Sequence, residues 1–364
     1  MKRRLGRIGL RVIGGALVLV VVWLVGWQDT VVDRDGGEHR GELVRVGATE
    51  AVLRTEDGER ILNIEGPTAV RRGLRGAFRR LAAAPGDAAL AWLCLIVSMA
   101  LIQVRWLVHA RGADLVISWR EAFRLGWIGM FFNQLLPAGQ TGGDLVKAFI
   151  FSRHHPERRT MAVVSVFADR GTGLFVLSLV STAAVLLAPS GSRIDLARNI
   201  ALGFFVFCLL FLGLLMTPRL RQPLRISRLL AKLPLGRLWT EIAHSFDVYG
   251  RRPRVVARGV LVGLAVHAFW LATFWFLAAA MGVRLTPLAL FVAIPVAMMA
   301  GAIPGLPAGW GYGDMAFYFF LPVAGVPPAT AVAISFSFRI LMMLISLPGG
   351  LLLARSRGHD PATD

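Results

Sequence analysis

Four charged side chains of the 364-residue chain stand where ionised groups are costly. Asp144 opens the apolar run Leu145–Phe151, and Asp314 opens the run Met315–Leu321. Arg170 and Arg339 lie inside longer apolar stretches, 26 and 25 residues beyond the two aspartates. A charge in such surroundings must face a partner or a wet cavity. For the aspartates two readings stand side by side. A carboxylate at a helix start accepts backbone N–H bonds of the first turn, and a carboxylate near the bilayer midplane holds a proton or cation. For the arginines the alternatives are direct contact with an anionic headgroup and structural pairing with an aspartate. Asp169 follows its own direction on the helix and is not automatically the partner of adjacent Arg170. Lys147, one turn beyond Asp144, can approach a phosphate or pair with Asp144 at i,i+3. Asn133, Gln134 and Thr141 are polar groups beside the same segment, able to satisfy backbone or to recognise substrate.

These residues recur as a set. Pro137-Ala138-Gly139-Gln140-Thr141-Gly142-Gly143-Asp144 matches Pro307-Ala308-Gly309-Trp310-Gly311-Tyr312-Gly313-Asp314 at five of eight positions, at an offset of 170 residues and without a gap. Phe149 and Phe319 extend the match. Each copy interrupts an apolar stretch with Gly and Pro, and a helix broken inside a membrane is tolerated only where protein or a water-filled cavity satisfies the freed backbone groups. Gly142, Gly143, Gly311 and Gly313 allow close approach of backbone to a ligand. The helix starts beyond them present N–H groups to an anion, with a phosphate headgroup the obvious candidate. Trp310 and Tyr312 in the second copy read equally as interfacial aromatics or as a lid.

The elements that must carry these residues are membrane spans. Hydrophobic residues make up 55% of the chain and charged residues 17%, against about a quarter charged in soluble domains. The apolar residues form blocks of a length that crosses the hydrocarbon core as one helix. Full spans are expected at 12–27, 88–108, 160–187, 199–216, 260–281 and 329–354. The pieces 123–136 with 145–151, and 287–303 with 315–321, are too short to cross upright and read as re-entrant hairpins. Three spans lie between the two breaks, so the copies should be oppositely oriented, an inverted repeat. The expected fold is therefore all-α and polytopic, with about six full spans, two inverted-repeat broken hairpins and a small β insert. The division runs 1–27 (anchor span), 28–66 (β-meander), 67–87 (basic linker), 88–354 (membrane domain) and 355–364 (tail). Within the insert, Glu42–Val46, Ala51–Thr55 and Arg60–Ile64 are strand-like, and Asp57-Gly58 marks a hairpin turn.

The formal net charge of +18 raises nucleic acid, but the arginines fall between spans and read as topology determinants and lipid-headgroup contacts. Arg105, Arg111, Arg120 and Arg124 are placed together in a cytoplasmic loop, and both termini on the cytoplasmic side. Cys94 and Cys208 sit in apolar blocks without ligand-spaced neighbours, so neither disulfide nor metal is implied. His267 reads as a core histidine. The G-x-x-x-x-G-K-[ST] nucleotide loop is absent from the Gly142 region, and no Ser/His/Asp arrangement is found. No cofactor is expected.

With those residues in view, the chain resembles the flippase-like membrane domain of lysylphosphatidylglycerol synthases and the stand-alone prokaryotic proteins made of that domain. The resemblance rests on Phe131-Phe132-Asn133-Gln134-Leu135-Leu136-Pro137, Gly142-Gly143-Asp144, Lys147, Asp169-Arg170, the second break through Gly313, and Arg339, and it covers 88–354. It implies a multi-pass protein of a prokaryotic cell membrane that moves phospholipids or other anionic lipid-linked molecules between leaflets. The soluble aminoacyltransferase part is not expected, so lysyl transfer is not inherited and the protein is read as no enzyme. The alternatives are a membrane enzyme acting on a lipid-linked substrate, and a partner subunit recruited through the β insert or the basic 218–258 segment.

Overall fold

The computed structural model describes residues 20, 22–23, 25–66, 69–136, 141–187, 192–217, 236–301 and 307–357. Most of the expected first span, Pro137–Gln140 of the first break, Pro304–Leu306 of the second, residues 218–235 of the basic segment and the tail from 358 lie outside them.

The N-terminal insert is one antiparallel sheet of β1 (Asp29–Val32), β2 (Glu38–Val46), β3 (Glu50–Thr55), β4 (Gly58–Asn63) and β5 (Val70–Arg71), in the order β4-β3-β2-β1-β5. Thr55 pairs with Gly58 across a two-residue turn, and β2 carries an irregularity between Leu43 and Arg45. Alternation along the strands turns Val31, Ala51 and Leu53 inward, where with Ile64 they are fully buried. So small a core needs help from its surroundings. Buried Asp29 supplies some, its Oδ1 accepting from the Gly73 N–H at 2.6 Å and its Oδ2 from the Leu43 N–H at 2.9 Å. Position 73 admits only glycine, since a Cβ there would lie 2.4 Å from the Gln28 carbonyl. The sheet thus runs on past Gly66, where the strand-like pattern ends, because two-residue β5 is too short to show any periodicity.

The rest is helical: α1 (Leu74–Ala83), α2 (Pro85–Gly112), α3 (Trp119–Leu135), α4 (Gly142–Arg153), α5 (Arg159–Leu187), α6 (Ser192–Met216), α7 (Gly236–Gly250), α8 (Pro253–Ala280), a π-helical turn Ala289–Ala293 continuing as α9 (Ile294–Gly301), α10 (Tyr312–Phe320) and α11 (Pro328–Arg357). Five of them are long and apolar enough to cross a membrane among the described residues: α2, α5, α6, α8 and α11. They correspond to five of the six expected spans, and most of the first lies outside the described residues. Helices α2, α8 and α11 open on proline, whose missing N–H costs nothing in a first turn. Along α6 the apolar side chains Val206, Phe207, Leu210 and Phe211 are exposed, as suits a helix facing lipid.

The chain divides into two compact units. One comprises Met1–Leu93, Leu271–Gly301 and Gly309–Leu341; the other comprises Cys94–Trp270, Ala302–Ala308 and Met342–Asp364. The second unit holds α3 and α4, 17 and 12 residues long. At about 1.5 Å per residue neither spans a hydrocarbon core of about 30 Å. They run antiparallel: Asn133 near the end of α3 meets Gly143 at the start of α4, while Glu121 at the start of α3 meets His154 just after α4, 2.7 Å apart. The chain therefore leaves this hairpin beside the point where it entered. The legs touch at two glycines, and a Cβ on Gly143 would fall 1.7 Å from the Gly129 carbonyl oxygen. Trp106, Leu125, Phe151, Val166 and Tyr249 form the buried core behind it.

The first unit repeats the device with α9 and α10. Thr286, ahead of the π-helical turn, donates to the Ala324 carbonyl at 3.3 Å, so the mouth of this hairpin is closed as well. Phe274 packs against both Phe317 and Phe338, with ring centroids 5.5 Å and 4.7 Å away. The turn into α10 uses positive φ at Ala308, Gly309 and Gly311. For Ala308 that conformation is strained.

Candidate functional site

Both aspartates stand at the third position of the second hairpin leg, not at the cap. In α4 the cap is Thr141, followed by Gly142, Gly143 and Asp144; in α10 it is Gly311, followed by Tyr312, Gly313 and Asp314. From that position each carboxylate is presented to the arginine of the long helix that comes next in its repeat, and the structure pairs Asp144 with Arg170 and Asp314 with Arg339.

The two pairs differ in state. Asp314 is fully buried and saturated. Its Oδ1 accepts from Arg339 Nε at 2.7 Å and from Ser335 Oγ at 2.6 Å, and its Oδ2 accepts from the Gly311 N–H at 2.9 Å. Trp310 lies 5.4 Å below the Arg339 guanidinium and packs on Phe336, so its ring belongs to this cluster. Asp144 and Arg170 are 3.7 Å apart with side chains 20% and 25% exposed, against 0% and 7% in the other pair. Asp144 Oδ2 and Arg170 Nε are buried atoms without a hydrogen-bond partner among the described residues. A charge within an apolar helix must face a partner or water, and the Arg170 side chain is a quarter exposed.

Around Asp144 the other candidates sort themselves. Asn133 Oδ1 accepts the Gly143 N–H at 2.6 Å, which occupies one of the N–H groups expected to face a ligand. Gly142 and Gly143 are buried in the contact between the legs. Lys147 is buried, with its ammonium 3.7 Å from the centroid of the Trp106 ring. At that distance the ring face stabilises the cation by about 2 kcal/mol when desolvated.

A second charged group of this unit escaped the sequence reading. Arg105 was grouped with loop arginines, but it is buried and bridges Asp169 through Nε at 2.7 Å and Nη2 at 3.4 Å. Helix α2 continues to Gly112, well past the apolar block, and so carries Arg105 inside the protein. His109, one turn on, contacts the Arg105 carbonyl and Thr172 Oγ1, both at 2.9 Å, and Tyr249 donates to the His109 carbonyl at 3.1 Å. One signal could have found the group: Ser98, Arg105 and His109 are spaced seven and four residues apart, one polar face on an apolar helix. His267 is buried, with Nδ1 2.8 Å from the Gly263 carbonyl and its ring edge against Trp270. Among the described residues no three His, Cys, Asp or Glu side chains are grouped so as to hold a metal ion.

An all-α polytopic membrane protein is thus defined, with two broken hairpins that each present an aspartate to an arginine. The chain belongs to the family of lysylphosphatidylglycerol synthase TM regions, whose model matches residues 69–349. It is 24% identical over 262 residues to a UPF0104 membrane protein of Methanothermobacter thermautotrophicus, covering 67% of this chain and 78% of that one. It is also 24% identical over 289 residues to a UPF0104 membrane protein of Pyrococcus horikoshii, covering 74% and 86%. No solved structure matches the chain.

Proposed function

We propose that this protein moves phospholipids or other anionic lipid-linked molecules between the leaflets of a prokaryotic cell membrane. The observation that carries the reading is the loose Asp144–Arg170 pair beside the break of a hairpin, 3.7 Å apart and without a hydrogen bond among the described residues. An anionic headgroup entering there exchanges its hydration for the Arg170 guanidinium, the strongest kind of phosphate contact. Family membership supports the reading, since the matching region is the membrane part of a lipid-modifying synthase. The chain carries no nucleotide-binding loop of the Walker type, and movement is driven by a gradient or runs passively. On this reading both termini face the cytoplasm. Anionic membrane lipids are the partners of the Asp144, Lys147 and Arg170 region. Proteoliposomes carrying labelled anionic and zwitterionic phospholipids test the reading. Faster transfer of the anionic lipid is expected, and no transfer above protein-free vesicles would sink it.

A further inference from the structure

A cavity of about 730 Å³ lies where the β sheet meets the ends of α8, α10 and α11, and the hairpin site does not account for it. Val46, Val70, Arg71 and Arg72 line it from the sheet side, Gly282 and Val283 from the end of α8, Tyr318 from α10, and Pro327 to Ala329 from the start of α11. The strand that carries the two arginines is pinned through its backbone, and both side chains are exposed. β5 pairs with β1 through Thr30 with Arg71 and Val31 with Val70, and the next residue, Gly73, is tied to Asp29.

Positive charge is in excess there. Arg71 pairs loosely with Glu38, 4.0 Å away and itself half exposed. Arg80 of α1 donates from Nε to the Met281 carbonyl at 2.7 Å, and its buried Nη2 has no hydrogen-bond partner among the described residues. Its Cδ lies 3.6 Å from where a Cβ on Gly282 would stand, beside the cavity wall. Burial first, and then the like charge of Arg72, hold the Arg80 guanidinium below its ordinary value. The carboxylate in the neighbourhood, Asp29, has both oxygens engaged by backbone N–H groups. The opposite wall is the first turn of a 30-residue helix. Pro327 and Pro328 carry no N–H and the Ala331 N–H donates to the Pro327 carbonyl at 2.9 Å, which leaves the Ala329 and Thr330 N–H groups at the helix start to favour an anion.

We propose that this cavity is a binding site for an oxyanion, phosphate or carboxylate, held by Arg71 and Arg72 against the start of α11. Valine side chains between the arginines and the helix ends leave room for an apolar tail, so the oxyanion arrives free in solution or on an amphiphile. On this account the β insert holds a basic strand over the helix ends. Its lining includes neither Asp144 nor Arg170, and lipid transfer can fail without affecting it.

The test uses the purified full chain in a neutral maltoside detergent at fixed ionic strength. Inorganic phosphate and dodecyl phosphate, the latter below its micelle-forming concentration, are titrated by calorimetry into the parent, Arg71→Gln/Arg72→Gln and Arg71→Lys/Arg72→Lys. Saturable binding is expected, weakened roughly tenfold or more in the glutamine variant and partly restored in the lysine variant. Equal affinity for the two probes assigns a free oxyanion, and tighter binding of dodecyl phosphate assigns an amphiphile. Near-ultraviolet circular dichroism and the melting temperature report that the variants are folded. Binding of neither probe to the parent, or unchanged binding to a folded glutamine variant, would overturn the proposal.

Discussion

At the scale of single residues, Asp314 and Asp144 occupy equivalent places in a sequence repeat and do different work. Asp314 is saturated by Arg339, Ser335 and the Gly311 N–H. Asp314→Ala would strand the buried Arg339 charge and is expected to destabilise by about 3–5 kcal/mol. Asp144→Ala removes a looser, partly exposed pair, so its expected cost is about 1 kcal/mol or less. Denaturant unfolding in detergent compares the two, and equal losses would contradict the distinction. The repeat made these four residues legible, because the same aspartate and arginine recur at nearly the same spacing. It could not say which pair is closed, since that depends on side chains such as Ser335, whose role appears only in three dimensions. Arg105 and Asp169 were unreadable as a pair for a related reason: they come from separate helices 64 residues apart.

At the scale of elements, the first hairpin depends on two backbones touching. Gly143→Leu puts a side chain where the Gly129 carbonyl stands, and overpacking of this kind costs about 1–3 kcal/mol or more. Gly203→Ala on exposed α6 meets nothing within 4 Å and should be neutral or stabilising by about 0.5–1 kcal/mol. Thermal unfolding of the two variants checks the contrast; equal behaviour would mean that the legs do not meet there. The sheet gives a pH prediction. A hydrogen bond with His39 and then one from the Gly37 N–H hold the Asp33 carboxylate below its ordinary value of 3.8. A depressed carboxylate stabilises the fold above its unfolded value, and the contribution fades as pH falls through the folded value. The Gly37 amide resonance should therefore shift below about pH 4 in the parent and not in Asp33→Asn. The broken hairpins were legible because Gly and Pro interrupt apolar runs too short to cross. Strand β5 was hidden among arginines, where its pairing with β1 leaves no pattern in the sequence.

At the scale of the whole molecule, hydropathy accounts for most of the architecture: long apolar blocks became spanning helices and short ones became hairpin legs. The chemistry does not follow from hydropathy. The proposed lipid transfer rests on the loose Asp144–Arg170 pair, since a guanidinium within an apolar helix is tolerated only if something polar reaches it. Transfer of a fluorescent anionic phospholipid, read by reductant bleaching of proteoliposomes, tests this claim most directly when parent and Arg170→Ala are compared at equal reconstituted amounts. The account predicts bleaching beyond the outer-leaflet fraction for the parent and a return to the protein-free level for Arg170→Ala. Bleaching of the parent that stops at the outer leaflet, or an Arg170→Ala protein that transfers lipid as fast as the parent, would contradict it.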